Sequence, residues 1–238
     1  MATESITSRR GLSVRERRQR NHEEMRSGIL EVARDIMREQ GVAALNLNEI
    51  ARRVGITPPA LYTYFPSKMA LYDELYRMGI RLFLGAEEEL RGTTAPDWER
   101  IHAWFALRLA LAEEHPDLYH LVFDVPIPGF VLTPESLEEV RRFYHAMVSG
   151  IAEVIEAGVM RPNLPPEEAT HLLITMRLGL VAAHVGKHRL VSPPDGFARL
   201  VPEMVAVLRA AWEPKEDVAQ HHADDGKGGG TFRPKQTA

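Results

Sequence analysis

The sequence predicts an all-α fold, with a three-helix N-terminal helix-turn-helix domain followed by a larger helical domain. Three observations lead there. Apolar residues recur at spacings of three and four through most of the 238 residues, the period of helices that turn one face inward. Capping residues and clusters of proline and glycine cut this pattern into segments of helical length. No segment reads as a convincing strand.

The first helix is signalled by Ser13 and Glu16, a capping box, and runs to Gln40 with Gly41 as its end. Met25, Ile29, Ala33, Ile36, Met37 and Gln40 form its inward stripe, leaving Arg17, Arg18, Arg20, Glu24 and Glu31 in solvent. Asn46 and Glu49 form a second capping box. Leu47, Ile50, Ala51 and Val54 then face inward, and Gly55 closes a helix too short to stand alone. Thr57 caps a third helix over Pro58 to Tyr64, whose first turn tolerates Pro58 and Pro59 because those positions have no intrahelical N–H partner. Leu61 and Phe65 point inward, and Pro66 with Ser67 ends this helix and caps the next. The remaining predicted helices are Ser67 to Arg91, Pro96 to His115, Pro116 to Val125, Pro134 to Ala157, Pro165 to Lys187 and Gly196 to Trp212. From Pro214 the apolar content falls away, so residues 214–238 are expected to be a disordered tail.

Charge assigns the two ends different surroundings. The whole chain carries −4, yet residues 1–80 hold thirteen Arg and Lys against ten Asp and Glu, a net of +3. Attraction to a polyanion is therefore confined to the front of the molecule. Six arginines (Arg9, Arg10, Arg15, Arg17, Arg18 and Arg20) stand in the first 20 residues, so residues 1–21 read as a basic arm and the start of the first helix. They serve as a minor-groove arm or as plain solvated charge, and deleting residues 1–20 distinguishes the two by the salt dependence of binding. There is no cysteine, which excludes disulfides and thiol chemistry and suits a reducing cytosol. No secretory signal is read at the N-terminus, and the most apolar run, Leu172 to Gly186, is interrupted by Arg177 and His184, so a cytoplasmic protein without membrane contact is expected.

Two short helices joined by Gly55-Ile56-Thr57 have the spacing of a helix-turn-helix within residues 46–65. The stretch from Gly41 to Leu75, GVAALNLNEIARRVGITPPALYTYFPSKMALYDEL, resembles the DNA-binding domain of the TetR family of regulators. Glu49-Ile50-Ala51, Gly55-Ile56-Thr57, Leu61-Tyr62, Tyr64-Phe65 and Lys68 with Leu71 all fall in register. Asn46, Ile56, Thr57 and Tyr64 stand where the family more often has Thr, Val, Ser and His. The resemblance implies a DNA-binding domain over residues 22–82. It places Thr57, Pro58, Pro59, Ala60 and Thr63 at base edges, Tyr62 and Tyr64 at phosphates, and Lys68 at a phosphate by the fourth helix. The helix starts at Asn46 and Ser67 add free N–H groups suited to phosphate. Pro58 and Pro59 have no side-chain donor and can meet only thymine methyls, so Thr57, Thr63 and DNA shape are expected to carry much of the specificity.

For residues 83–213 the resemblance implies an effector-binding and dimerisation domain, with a homodimer built on the last two helices and a two-fold pair of heads on a palindromic operator. The last helix carries a stripe of Phe197, Leu200, Val201, Met204, Val205, Leu208, Ala211 and Trp212, and the helix before it is apolar nearly all round, with Gly179, Ala183 and Gly186 permitting close approach. Arg177 stands among apolar residues and needs a partner. His184, seven residues on, shares its face, and Phe105, Arg108, His120, Phe123, Tyr144 and Met147 complete the candidate lining of a small-molecule site. His184 with His188, and His120 with Asp124, are two-residue metal possibilities without a third ligand, so no metal or other cofactor is assigned. No catalytic signature is present. The reading is a ligand-released transcriptional repressor binding double-stranded operator DNA. The rival is a helical small-molecule-binding protein or enzyme whose helix-turn-helix is only structural.

Overall fold

Nine α-helices and no strand occur among the described residues of the computed structural model, which are 13–124, 127–185 and 196–214. Arg9 and Arg10, the helix end at Val125, Gly186, Lys187, His188 and the tail from residue 215 lie outside them.

Helix α1 (Val14–Gln40) starts on the expected reciprocal box: Ser13 Oγ accepts from the Glu16 amide, and Glu16 accepts from the Ser13 amide. Its buried face is Ile29, Leu30, Ala33, Ile36 and Met37, while Gln40, expected inward, is exposed. The reason lies in Gly41, whose φ of 88° turns the chain into a 3-10 turn at Val42–Ala44, so that Val42 and Leu45 fill the inward places. Helix α2 (Leu47–Val54) ends, as expected, on Gly55 in the left-handed region (φ 80°, ψ 28°). Its capping box, however, is not formed. Asn46 Oδ1 accepts from the Asn48 amide, and the Glu49 carboxylate is taken by Arg52 and Arg53 on the next turn, since two guanidiniums bind a carboxylate more strongly than one neutral N–H. Helix α3 (Pro58–Leu61) is shorter than expected. Beyond it Thr63 and Tyr64 bond three residues back, and Pro66 prevents further helix.

Helix α4 (Lys68–Thr93) is capped by Ser67. It is followed by α5 (Trp98–Glu114), α6 (Pro116–Phe123), α7 (Pro134–Glu156) and α8 (Pro166–Val185). Helix α5 begins later than expected because Asp97 caps it, accepting from the Arg100 amide. Helix α9 (Val201–Trp212) also begins late, at the point where Pro202 fits a first turn, behind a 3-10 turn at Ala198–Leu200.

The packed side chains form two apolar clusters. One joins α1, α2 and α3 to the front of α4 through residues such as Ile29, Ile50, Leu61, Phe65 and Tyr72, and takes in Leu118 and Leu121 of α6. The other unites the rear of α4 with α5, α7, α8 and α9 around Phe83, Phe105, Phe143, Leu173 and Val205. Helix α4 runs through both, and its Tyr76 and Leu82 touch each. Gly79 allows α4 and α6 to meet: a Cβ there would sit 2.8 Å from Val122 Cγ2 and 3.5 Å from Leu118 Cβ. Gly79→Val is accordingly expected to cost about 1–3 kcal/mol by overpacking, measured by urea denaturation; a loss below 0.5 kcal/mol would show that the two helices separate freely.

Candidate nucleic-acid interface and buried charge centre

The surface around α3 is built from capped, short elements. Thr57 Oγ1 accepts from the Ala60 amide at 3.4 Å and Thr63 Oγ1 donates to the Ala60 carbonyl at 2.7 Å, so both hydroxyls hold the backbone while remaining at the surface. Pro58 and Pro59 are exposed, Ala60 is half-buried, and Tyr62 is 50% exposed. Leu61 and Phe65, at 0% and 1%, anchor the opposite face in the core. Tyr64 is half-buried because its ring stacks on His22 of α1 at 4.6 Å, which braces it rather than freeing it. Lys68 opens α4 with its ammonium 5.5 Å from the Tyr72 ring centre, and Tyr72 in turn donates to the Val42 carbonyl at 2.7 Å. Asn46 and Ser67 each satisfy one first-turn amide with their side chains, leaving other N–H groups of those turns outside the helical ladder. Arg15, Arg17, Arg18 and Arg20 lie exposed along the start of α1. These elements thus present hydroxyls, an aromatic ring, helix starts and cations at the surface.

The partner that Arg177 requires is Glu87 of α4. Glu87 Oε1 accepts from Arg177 Nη1 and from Arg108 Nη2, each at 2.8 Å, and the three side chains are 5%, 3% and 2% exposed in that order. The Arg177 guanidinium lies 3.3 Å from the Trp104 ring centre, and its Nη2 reaches Met147 Sδ at 3.0 Å. Arg108 sits among Phe83, Phe123 and Phe143 at 4.7, 4.8 and 5.2 Å. Burial pushes the Arg177 guanidinium down to about 9 against the pull of Glu87, so it stays a cation at neutral pH, and burial lowers Arg108 as well; a guanidinium keeps its proton in proteins. Burial raises the nearby Tyr119 hydroxyl to about 12, so it stays neutral. Beside this centre is a cavity of about 20 Å³ whose wall includes Glu87, Trp104 and Met147, room for roughly one water.

Of the expected lining, Arg108, Phe123, Met147 and Arg177 are brought together here, with Phe105 packed edge-on against Trp104 at 5.3 Å. The others are elsewhere. Tyr144 bonds His171 Nε2 at 2.9 Å, on an outer part of α7 and α8. His184 does not share the site of Arg177: its Nε2 meets Glu113 at 2.5 Å, and with His120, which bonds Asp124 at 3.0 Å, it borders an open groove of about 460 Å³ beside the end of α1. Glu87, Trp104, Phe83 and Phe143 were missed by sequence reasoning. Ile80, Phe83 and Glu87 follow one inward spacing, a signal obscured by the run Glu87-Glu88-Glu89, which resembles a solvated face.

A further unforeseen group ties the two clusters together. Asp117 of α6, with a side chain wholly buried, accepts from Arg34 Nε at 2.6 Å and Arg38 Nε at 3.2 Å of α1. On the other flank Asp73 accepts from the Thr133 amide and from the hydroxyls of Thr133 and Ser136, fastening the start of α7 to α4.

The pattern for bacterial regulatory proteins of the tetR family matches residues 29–75. The chain is 27% identical over 170 residues, 70% of its length, to the HTH-type transcriptional activator FasR of Mycolicibacterium smegmatis, covering 72% of that protein. It is 26% identical over 148 residues to the HTH-type transcriptional regulator RutR of Escherichia coli, covering 62% of this chain and 68% of that one. Among solved structures, the regulator FadR of Bacillus subtilis in complex with stearoyl-CoA superposes with a TM-score of 0.63 at 16% identity, over 76% of this chain and 96% of that chain.

Proposed function

The chain belongs to the TetR family of bacterial transcriptional regulators, and from that premise we propose that it is a repressor that grips a palindromic operator as a homodimer and releases it when a small-molecule effector enters the body. The observation that carries this is α3 itself: anchored inside by Leu61 and Phe65, it keeps Thr57, Pro58, Pro59, Tyr62 and Thr63 at the surface. A rod held this way can enter a major groove. In this reading residues 22–82 bind DNA, residues 83–213 bind effector and dimerise, and the site of action is the cytoplasm, where the operator is. Base edges fall to Thr57, Pro58, Pro59, Ala60 and Thr63; phosphates fall to Asn46, Tyr62, Tyr64 and Lys68. With both threonine hydroxyls engaged by Ala60, a larger share of the specificity passes to methyl contacts and DNA shape.

The dimer surface in this proposal is what α8 and α9 leave open. Most of the stripe noted in α9 is consumed by the chain's own core, where Val201, Val205 and Leu208 are buried. What stays open is the reverse face, with Val207 at 66% exposure, and on α8 Leu172 and Leu178 at 42% and 37%. A two-fold partner covering these faces sets the spacing of two heads. The continuous α4 and the Asp73 tie of α7 supply the route from body to head: a change in the position of α7 moves the front of α4.

A gel shift with the DNA upstream of the chain's own gene tests the reading. A salt-sensitive, sequence-specific complex is expected. Tyr62→Ala is expected to weaken it about tenfold, the order of a charge-assisted hydrogen bond to phosphate, with the circular dichroism spectrum unchanged. A folded protein that makes no specific complex favours the rival, a small-molecule-binding body with a structural helix-turn-helix.

A further inference from the structure

The charge centre inside the body is one anion short. Two guanidiniums and one carboxylate, all nearly inaccessible to water, leave a net charge of +1 in an apolar surround. A buried charge without a counter-charge is costly, and the ring faces about Arg108 offset only part of that cost. The hydrogen bonds tell the same story. Arg108 Nε and Nη1 are buried without any acceptor, and Arg177 Nη2 has only the thioether of Met147, a weak one. Because Arg108 and Arg177 both bond Glu87 Oε1, the two under-satisfied guanidiniums belong to one hydrogen-bonded group.

The adjoining cavity gives access to it. Met147 and Trp104, the groups in contact with the Arg177 guanidinium, are also in the cavity wall, and an unbranched methionine changes rotamer readily. The remaining wall is apolar at Leu90, Ile101 and Ile151. On the cavity's other side Arg91 and Arg100 share Glu153, with Arg91 at 41% side-chain exposure. That second cationic group is in reach of solvent and attracts anions without needing one.

On the reading of the body as an effector site, we infer that the effector is an amphiphilic organic monoanion, a carboxylate on an apolar body, whose head replaces Met147 Sδ at Arg177 and supplies the acceptor that Arg108 lacks. A single negative charge neutralises the centre, while a dianion would leave it −1. The closed cavity is too small for such a body, so entry displaces α7, which carries Met147, from α4 and α5. That displacement is the one that reaches Asp73.

The inference is tested by calorimetric titration of the full chain, without DNA, with decanoate, decanol and decylamine at neutral pH. Decanoate is expected to bind one per chain and at least about tenfold more tightly than decanol, the order of one charge-assisted hydrogen bond, with decylamine weaker still. Arg177→Gln is expected to lower decanoate affinity by about the same factor and leave decanol unchanged. Glu87→Gln, which removes the competing negative charge while keeping an acceptor oxygen and so raises the centre's charge to +2, is expected to strengthen decanoate binding and to make thermal stability rise with decanoate concentration. Opposite signs for the two variants keep the test decisive where one of them folds poorly. Equal binding of the three probes, or decanoate binding indifferent to both substitutions, overturns the inference. Head-group selectivity in a protein that makes no operator complex upholds it and defeats the repressor reading; an operator complex without head-group selectivity does the reverse.

Discussion

Glu87→Ala is expected to lower folding stability by on the order of 3–5 kcal/mol, because it leaves two cations buried with no carboxylate. Arg108 and Arg177 are 2% and 3% exposed, and the adjoining cavity has room for roughly one water, too little to solvate two cations. For a chain of this size such a loss corresponds to a fall in Tm on the order of 10 °C. The contrast is the pair Arg20–Glu24 on α1, with side chains 67% and 60% exposed, where Arg20→Ala should shift stability by less than about 1 kcal/mol. A triple replacement of Glu87, Arg108 and Arg177 by leucine, methionine and methionine should recover much of what Glu87→Ala loses, since a buried ionic cluster and a well-packed apolar one can be similar in net stability. Guanidinium denaturation of the four proteins measures all of this. A Glu87→Ala protein within 1 kcal/mol of the parent would mean that water already reaches the centre.

The same centre shows what can be read from the chain and what cannot. Arg177 was conspicuous because an isolated cation in an apolar run demands a partner. The partner itself was invisible, since Glu87 lies 90 positions away and sits in an acidic triplet whose other members are solvated. Helices were legible wherever caps and glycines punctuate a period, as at Ser13, Gly55 and Ser67. They were misjudged where a side chain had competing options: Glu49 chose arginines over the Asn46 amide, and Pro202 delayed α9. The head resembles a family whose motif is local, so residues 41–75 identified it. The charge centre is made by α4, α5, α7 and α8 meeting, and sequence spacing says little about which inward faces meet. Tyr144, His120 and His184 carry suitable chemistry and still lie on other surfaces.

Asp117→Ala is expected to uncouple the head from the body. In the intact chain Asp117 binds Arg34 and Arg38 of α1 from the first turn of α6, while Leu118 and Leu121 of the same helix enter the head's apolar cluster. Removing the carboxylate eliminates the charge-assisted contacts and leaves the apolar ones. Because Arg34 and Arg38 retain 18% and 39% side-chain exposure they can recover water, so the cost should be about 1–3 kcal/mol rather than the full penalty of a buried unpaired ion. The larger consequence is in cooperativity. With the polar tie gone, α1 to α3 should melt before the body, splitting one thermal transition into two, and amides of α1 should exchange faster than those of α7 and α8. Asp117→Asn, which keeps one acceptor, should fall between. In the proposed mechanism effector release depends on a rigid path between the clusters, so the Asp117→Ala protein should still bind operator at low temperature yet respond to effector several-fold less. One sharp transition with Tm lowered by less than about 1 °C would instead assign the connection to α4 and the Asp73 tie alone.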